Sequence, residues 1–280
     1  MTNYEFRYAA HPIDSRVYGT EELRKEFLIP KLFVKNSVQL TYSMYDRYIV
    51  GGVMPVNESV KLETVPYLKS DNFLDRRELG VINVGGKGKI TVDGVPYELA
   101  KKEALYVGQG AKEVIFESES EFGEPSLFYI NSAPAHKSFP TKKVGTNEAE
   151  VIQLGDEKYA NKRVLNKLIV NSIVETCQLQ MGLTELLPGN VWNTMPAHTH
   201  NRRMEAYFYF DVEEGQTVCH FMGEPQHTRH IFIENNQAVL SPEWSIHSGS
   251  GTCAYSFVWG MAGENLDYSD MDVCAPNELR

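Results

Sequence analysis

The sequence predicts a mostly-β protein built of two tandem β units, each a barrel or jelly roll, with a few short helices. Three observations carry that expectation. From about residue 31 onward, short runs rich in Val, Ile, Tyr, Phe and Thr alternate with Gly, Pro, Asn and Asp, and long helical periodicity is scarce. The length of 280 residues accommodates two units at roughly 150 residues per domain. A weak internal repeat then pairs two stretches. In the first, Arg76-Arg77-Glu78 precedes an apolar run, a turn at Gly85-Gly86, a hairpin and Glu103–Gly108. In the second, Arg202-Arg203-Met204-Glu205 precedes an apolar run, a turn at Glu214-Gly215, a strand and Gln237–Pro242.

Taken in order, residues 1–40 read as a helical and extended N-terminal segment. Thr20 can cap a short helix whose first turn carries Glu21 and Glu22, where negative charge meets the helix dipole. Pro30 ends it. Residues 41–131 read as a β unit without metal ligands. Its strand candidates are Leu79–Val84, Lys89–Val92 and Glu113–Glu117, and Asp93-Gly94 is a type I′ hairpin signal. Residues 132–170, with Pro134, Pro140 and Gly145-Thr146-Asn147, read as a connecting segment. Residues 171–280 form the second unit, with strand candidates Cys177–Leu183, Ala206–Val212, Arg229–Ile233 and Tyr255–Trp259.

Composition limits the function. Lys plus Arg is 27 and Asp plus Glu is 37, a net charge of −10. A diffuse acidic balance argues against nucleic-acid partners, which need clustered positive charge, and against anionic membranes. No apolar run reaches the ~18 to 20 residues that span a bilayer. The N-terminus lacks the basic start and apolar run of a signal peptide. Cys177, Cys219, Cys253 and Cys274 share no CxxC spacing and read as free thiols in a reducing cytosol.

Six of the eight histidines lie between His198 and His247. The central phrase is Pro196-Ala197-His198-Thr199-His200-Asn201-Arg202-Arg203-Met204-Glu205. On a strand, side chains alternate faces, so His198 and His200 point the same way. Glu205 supplies a carboxylate, and Ser241-Pro242-Glu243-Trp244-Ser245-Ile246-His247 supplies a third imidazole after a Pro-containing turn. Three His and one Glu suit Zn, Fe(II), Mn, Co or Ni.

The spacing resembles the cupin superfamily, whose first motif runs G(x)5HxH(x)3–4E(x)6G and whose second runs G(x)5PxG(x)2H. Gly189, His198, His200, Glu205 and Gly215 follow the first in order with longer Gly spacings; Pro242 and His247 follow the second, with Trp244 where the motif has Gly. The resemblance implies a bicupin. Longer phrases narrow it. Trp192–His200, Arg202–Glu205, Ser241–Gly249, Trp259–Asn265, Phe73–Asn83, Ser132–His136 and the terminal Leu279-Arg280 resemble the 5-dehydro-4-deoxyuronate isomerase family over nearly the whole chain. That resemblance implies a cytoplasmic zinc enzyme with one Zn(2+) per subunit, assembled as a homohexamer. It also implies the reaction, conversion of 5-dehydro-4-deoxy-D-glucuronate to 3-deoxy-D-glycero-2,5-hexodiulosonate in pectin breakdown. Another metal-dependent cupin enzyme, such as an Fe(II) dioxygenase or a related sugar-acid isomerase, and a non-enzymatic sugar-binding cupin remain as alternatives.

An aldose–ketose interconversion passes through an enediolate, whose charge a divalent cation stabilises. The proton-shuttling base stays open: a metal-bound water, His220, Glu243 or a tyrosine. Tyr207 and Tyr209 share the face of Glu205 and are candidates to line the cavity. Arg202 and Arg203 are candidates for the substrate carboxylate, because a guanidinium binds one bidentately. Trp244 is a candidate pocket wall beside His247.

Overall fold

The computed structural model describes residues 2–119 and 123–280. Strands dominate, and each of the seven strand candidates named above falls on one. The chain divides into two units. The first comprises the N-terminal strand Thr2–Arg7, Lys31–Glu150 and Leu168–Met181; the second comprises Tyr8–Pro30, Val151–Lys167 and Gly182–Arg280.

In the first unit a seven-stranded sheet runs in the order Thr2–Arg7, Val38–Ser43, Ile49–Val53, Phe128–Pro134, Arg77–Asn83, Ala104–Val107, Lys142–Val144. A four-stranded sheet runs Val60–Lys61, Val114–Ser118, Gly88–Val92, Val95–Leu99. One apolar cluster joins them: Leu40, Ile49, Leu79, Val81 and Ile130 from the larger sheet meet Val60, Ile90, Val92 and Phe116 from the smaller. Alternation explains the smaller sheet, since Gly88–Val92 buries every second residue. Asp93 and Gly94 close its hairpin with φ of 47° and 84°, the paired positive values of a type I′ turn. The Asp93 carboxylate also accepts from the backbone N–H groups of Lys112 and Glu113.

The second unit repeats this layout. Its seven-stranded sheet runs Glu150–Leu154, Arg163–Ile169, Gln180–Leu186, Ser256–Gly263, Arg203–Phe210, Gln237–Ser241, Leu28–Ile29. Its four-stranded sheet runs Trp192–Asn193, Ser248–Gly251, Val218–Glu224, His227–Ile233. Place for place, sequence order matches the first unit except at one edge. There the second unit uses Leu28–Ile29, from early in the chain, where the first uses Lys142–Val144. The tandem repeat is therefore real at the level of strand order.

The partition differs from the expected boundaries in two places. Residues 1–40 are shared between the units. The helix Thr20–Phe27, capped at Gly19 one residue before the expected cap, ends in the buried run Phe27, Leu28 and Ile29, and Leu28–Ile29 finds its partner in Gln237–Ser241. Residues 132–170, expected as a connector, carry the strands Lys142–Val144, Glu150–Leu154 and Arg163–Ile169. Glu150–Leu154 is almost wholly exposed, so no alternating apolar pattern marked it. The four cysteines are free, as expected. Among the described residues no helix is long and apolar enough to cross a membrane.

Candidate metal centre

The strand Arg203–Phe210 positions the centre. Alternation turns Arg203, Glu205, Tyr207 and Tyr209 to one face and Met204, Ala206, Phe208 and Phe210 to the other. His198 lies on the short strand His198–Thr199, paired with Asp272–Val273. His200 follows in the turn that the Arg203 N–H closes on the His200 carbonyl at 3.0 Å. His247 precedes the strand Ser248–Gly251, after a turn closed by the Ser245 N–H on the Pro242 carbonyl.

These four side chains converge. Each offers one ligand atom, and all four atoms lie within 4.8 Å of one another. Glu205 Oε2 stands 3.0 Å from His200 Nε2 and 3.0 Å from His247 Nε2, and His198 Nε2 stands 3.0 Å from His247 Nε2. Donors bound to one cation at ~2.0–2.2 Å in a tetrahedron stand roughly 3.4 Å apart, so the close pairs here are of the order a shared cation would need. The outer contacts agree. His200 Nδ1 lies 2.9 Å from the Arg203 carbonyl and must donate there, which leaves the Nε2 lone pair facing the cluster. His247 Nδ1 lies 3.2 Å from Ser241 Oγ. The donor chemistry, three imidazoles and one carboxylate, fits a divalent metal site.

Electrostatics point the same way. Burial by itself would raise the Glu205 carboxyl. The adjoining imidazoles of His247 and His200 outweigh that and hold it well below the usual carboxylate range. Burial and the neighbouring His247 push His198 down to about 3, so its imidazole stays neutral. A carboxylate buried this deeply beside three imidazoles is a setting that a divalent cation would complete.

The cluster opens into a cavity of about 400 Å³. Apolar walls come from Phe257, Trp259 and Met261, and from Tyr268, Met271 and Val273 of the C-terminal segment. Arg203 and Tyr207, two of the candidate substrate contacts, line it. Arg203 Nη1 contacts Met261 Sδ at 3.0 Å and Nη2 donates to the Asp270 carbonyl. Arg203 Nε and Trp259 Nε1, both buried, lack a hydrogen-bond partner among the described residues. The Tyr207 hydroxyl is 3.0 Å from Thr194 Oγ1. Burial keeps its pKa well above the ordinary value, so it remains a proton donor.

Other expected contacts lie elsewhere. Tyr209 shares the face of Tyr207 but sits two residues deeper, its hydroxyl 2.7 Å from His220 Nδ1 and outside the cavity lining. Burial pushes His220 down to about 3. His220 and Glu243, two of the candidate bases, do not line the cavity. Arg202 points away from it and grips Asp270 and Asp272. Trp244 turns to the helix and meets Phe27 edge-on, with ring centroids 6.2 Å apart.

A charged cavity residue was not among the candidates. Arg163, on the strand Arg163–Ile169, lines the pocket and uses Nη1 on the Asn161 carbonyl. It lies in the stretch read as a connector, and no local motif marks it.

Comparison with known proteins agrees with this geometry. A model of the KduI/IolB family matches residues 27–275. The 4-deoxy-L-threo-5-hexosulose-uronate ketol-isomerase of Formosa agariphila is 60% identical, covering 100% of this chain and 99% of that protein. The proteins of that name from Bacteroides fragilis (54% identical, 100% and 99% covered) and Escherichia coli (53%, 99% and 100%) follow. Among solved structures, an IolB-like protein from Salmonella typhimurium shares the fold at a TM-score of 0.65, with 15% identity over 81% of this chain and 86% of that one. A variant of Bacillus subtilis oxalate decarboxylase shares it at 0.56, with 9% identity over 80% and 71%. With a family model spanning most of its length and relatives above one-half identity end to end, the chain belongs to the KduI/IolB family, in agreement with the uronate-isomerase resemblance of its motifs.

Proposed function

We propose that this protein is a metal-dependent ketol-isomerase of 4-deoxy-L-threo-5-hexosulose uronate, acting in pectin and polygalacturonate breakdown. The observation that carries the reading is the convergence of His198, His200, Glu205 and His247 beside a mostly apolar cavity, in a chain whose full-length relatives bear that enzyme's name. These four residues would hold one Zn(2+) per subunit. The bound ion would act as a Lewis acid toward the oxygens of the enediolate.

The chain's own groups do the rest. In the reaction a proton leaves C2 and one arrives at C1, while the carbonyl moves from C1 to C2. Arg163 and Arg203 are the guanidinium groups lining the cavity, and they receive the substrate carboxylate. Tyr207, held by Thr194, donates its hydroxyl proton toward the oxygen that gains charge. The apolar walls exclude water from the intermediate. With His220 and Glu243 outside the cavity, proton transfer falls to the groups that line it. The protein is proposed to work in the cytoplasm, as a homohexamer, on a small acidic sugar.

The test is to supply the ketouronate to purified protein before and after chelation, following the product by NMR. The expected result is transfer of the carbonyl to C2, abolished by chelation and restored by Zn(2+). Undiminished turnover in fully stripped protein would refute the metal-dependent reading.

A further inference from the structure

The first unit has a cavity of its own, of about 350 Å³. It lies at the same topological end as the metal centre of the second unit. Arg77 and Arg203 each open the fifth strand of their seven-stranded sheet, and each pairs with the last residue of the fourth, Pro134 or Gly263. Register then places Leu79, Val81 and Asn83 where the second unit has Glu205, Tyr207 and Tyr209. Leu79 and Val81 belong to the apolar core, so at these two places the first unit has apolar side chains where the second has Glu205 and Tyr207.

The mouth has a different chemistry. It is lined by Arg47, Arg76 and Arg77, by the rings of Tyr42 and Tyr67, and by Ser70; among the described residues no Asp or Glu lines it. Arg77 is 5% exposed. Its Nε donates to Ser132 Oγ, and its Nη2 donates to the carbonyls of Ser132 and Arg47, while Nη1 makes no hydrogen bond among the described residues. Burial lowers its pKa to about 10, so it stays charged at neutral pH. Arg76 uses Nη2 on the carbonyls of Leu68 and Lys69. Three guanidinium groups around one cavity repel each other, in a chain of net charge −10, and an anion relieves that repulsion. The aromatic side is preorganised too. Phe6 stacks on Tyr42 at 5.5 Å and on Tyr67 at 4.5 Å, which fixes the Tyr67 ring although it is 54% exposed. A ring fixed in the open offers an apolar face to the C–H side of a sugar.

We propose that this cavity is a second ligand site, for a small carboxylated sugar of the uronate class. The carboxylate is held among Arg47, Arg76 and Arg77, and the carbon face rests on Tyr67 and Tyr42. A volume of this size suits a monosaccharide, as small-ligand cavities begin near ~300 Å³. The site needs neither the metal nor the reaction proposed above.

The test is calorimetric titration of the full-length metal-loaded protein with D-galacturonate. One binding component should weaken at least tenfold in an Arg47→Gln/Arg76→Gln variant, both positions being exposed, with isomerase turnover retained. The same component should persist in a His198→Ala/His247→Ala variant, which separates it from the metal centre. Tyr67→Ala should weaken galacturonate binding and leave inorganic phosphate unaffected, and D-galactose should show no such component. Identical galacturonate isotherms for the wild type and the double arginine variant would overturn the proposal. So would phosphate binding as tightly as galacturonate, which would reduce the cavity to a general anion site.

Discussion

Arg202 holds Asp270 in a two-point ion pair, with Nε 2.8 Å from Oδ2 and Nη2 2.6 Å from Oδ1. Nη2 also reaches Asp272 at 3.0 Å. The residue therefore clamps the C-terminal segment whose Tyr268, Met271 and Val273 wall the metal cavity. Arg202→Ala should raise KM several-fold and speed hydrogen exchange of residues 264–274, with metal content and thermal midpoint little changed, since a partly exposed ion pair contributes little to global stability. Unaltered exchange in that segment would refute the clamp.

The clamp has a pH signature. Hydrogen bonds from Arg202, then from Asn265, lower the Asp270 carboxyl from 3.8 to about 2. A depressed carboxylate contributes its stability fully above the unfolded value and loses it as pH falls through the folded one. Exchange in residues 264–274 should be independent of this group from pH 5 to 8, and should rise between about pH 4 and pH 2. In Asp270→Asn that acid-dependent step should vanish.

Ser241 orients the ring of His247 through Nδ1. Ser241→Ala should weaken metal affinity about tenfold to a hundredfold, the usual effect of removing such an outer contact. Chelator competition measures it. Equal affinity in the variant would show that the His247 ring is held by packing alone.

Arg163 reaches the cavity, whereas Arg202 does not. Arg163→Gln should lower kcat/KM about tenfold to a hundredfold, the loss expected for a charge-assisted hydrogen bond of ~1.5–3 kcal/mol. The fall should appear mainly in KM. A fall in kcat alone, with KM unchanged, would assign Arg163 to the chemical step instead.

Glu78 is a buried carboxylate of the first unit with four donors: the Tyr106 hydroxyl and the backbone N–H groups of Cys177, Gln178 and Leu179, all at 2.8–2.9 Å. Glu78→Ala strands those donors and should cost about 3 kcal/mol or more of stability in urea unfolding. A loss below about 1 kcal/mol would show that water or rearrangement replaces the carboxylate.

The four converging donors were legible because HxH, the following Glu and the later His are local strings in sequence, and their spacing survives folding. The mostly-β class was legible for the same reason, since alternation and turn residues act over a few positions. Depth and direction were not. Tyr207 and Tyr209 share a strand face, yet a two-residue step advances about 7 Å along the strand, so one meets the cavity and the other meets His220. Arg202 and Arg203 are neighbours with opposite fates, and only the position of Asp270, far along the chain, decides which is withdrawn. Trp244 was drawn to Phe27 by a helix distant in sequence. Sequence by itself determined the fold class, the donor set and the family motifs, because these rest on local periodicity and residue type. Tertiary structure decided which arginines face the cavity and where Arg163 enters it, because sheet order juxtaposes strands that no local pattern connects.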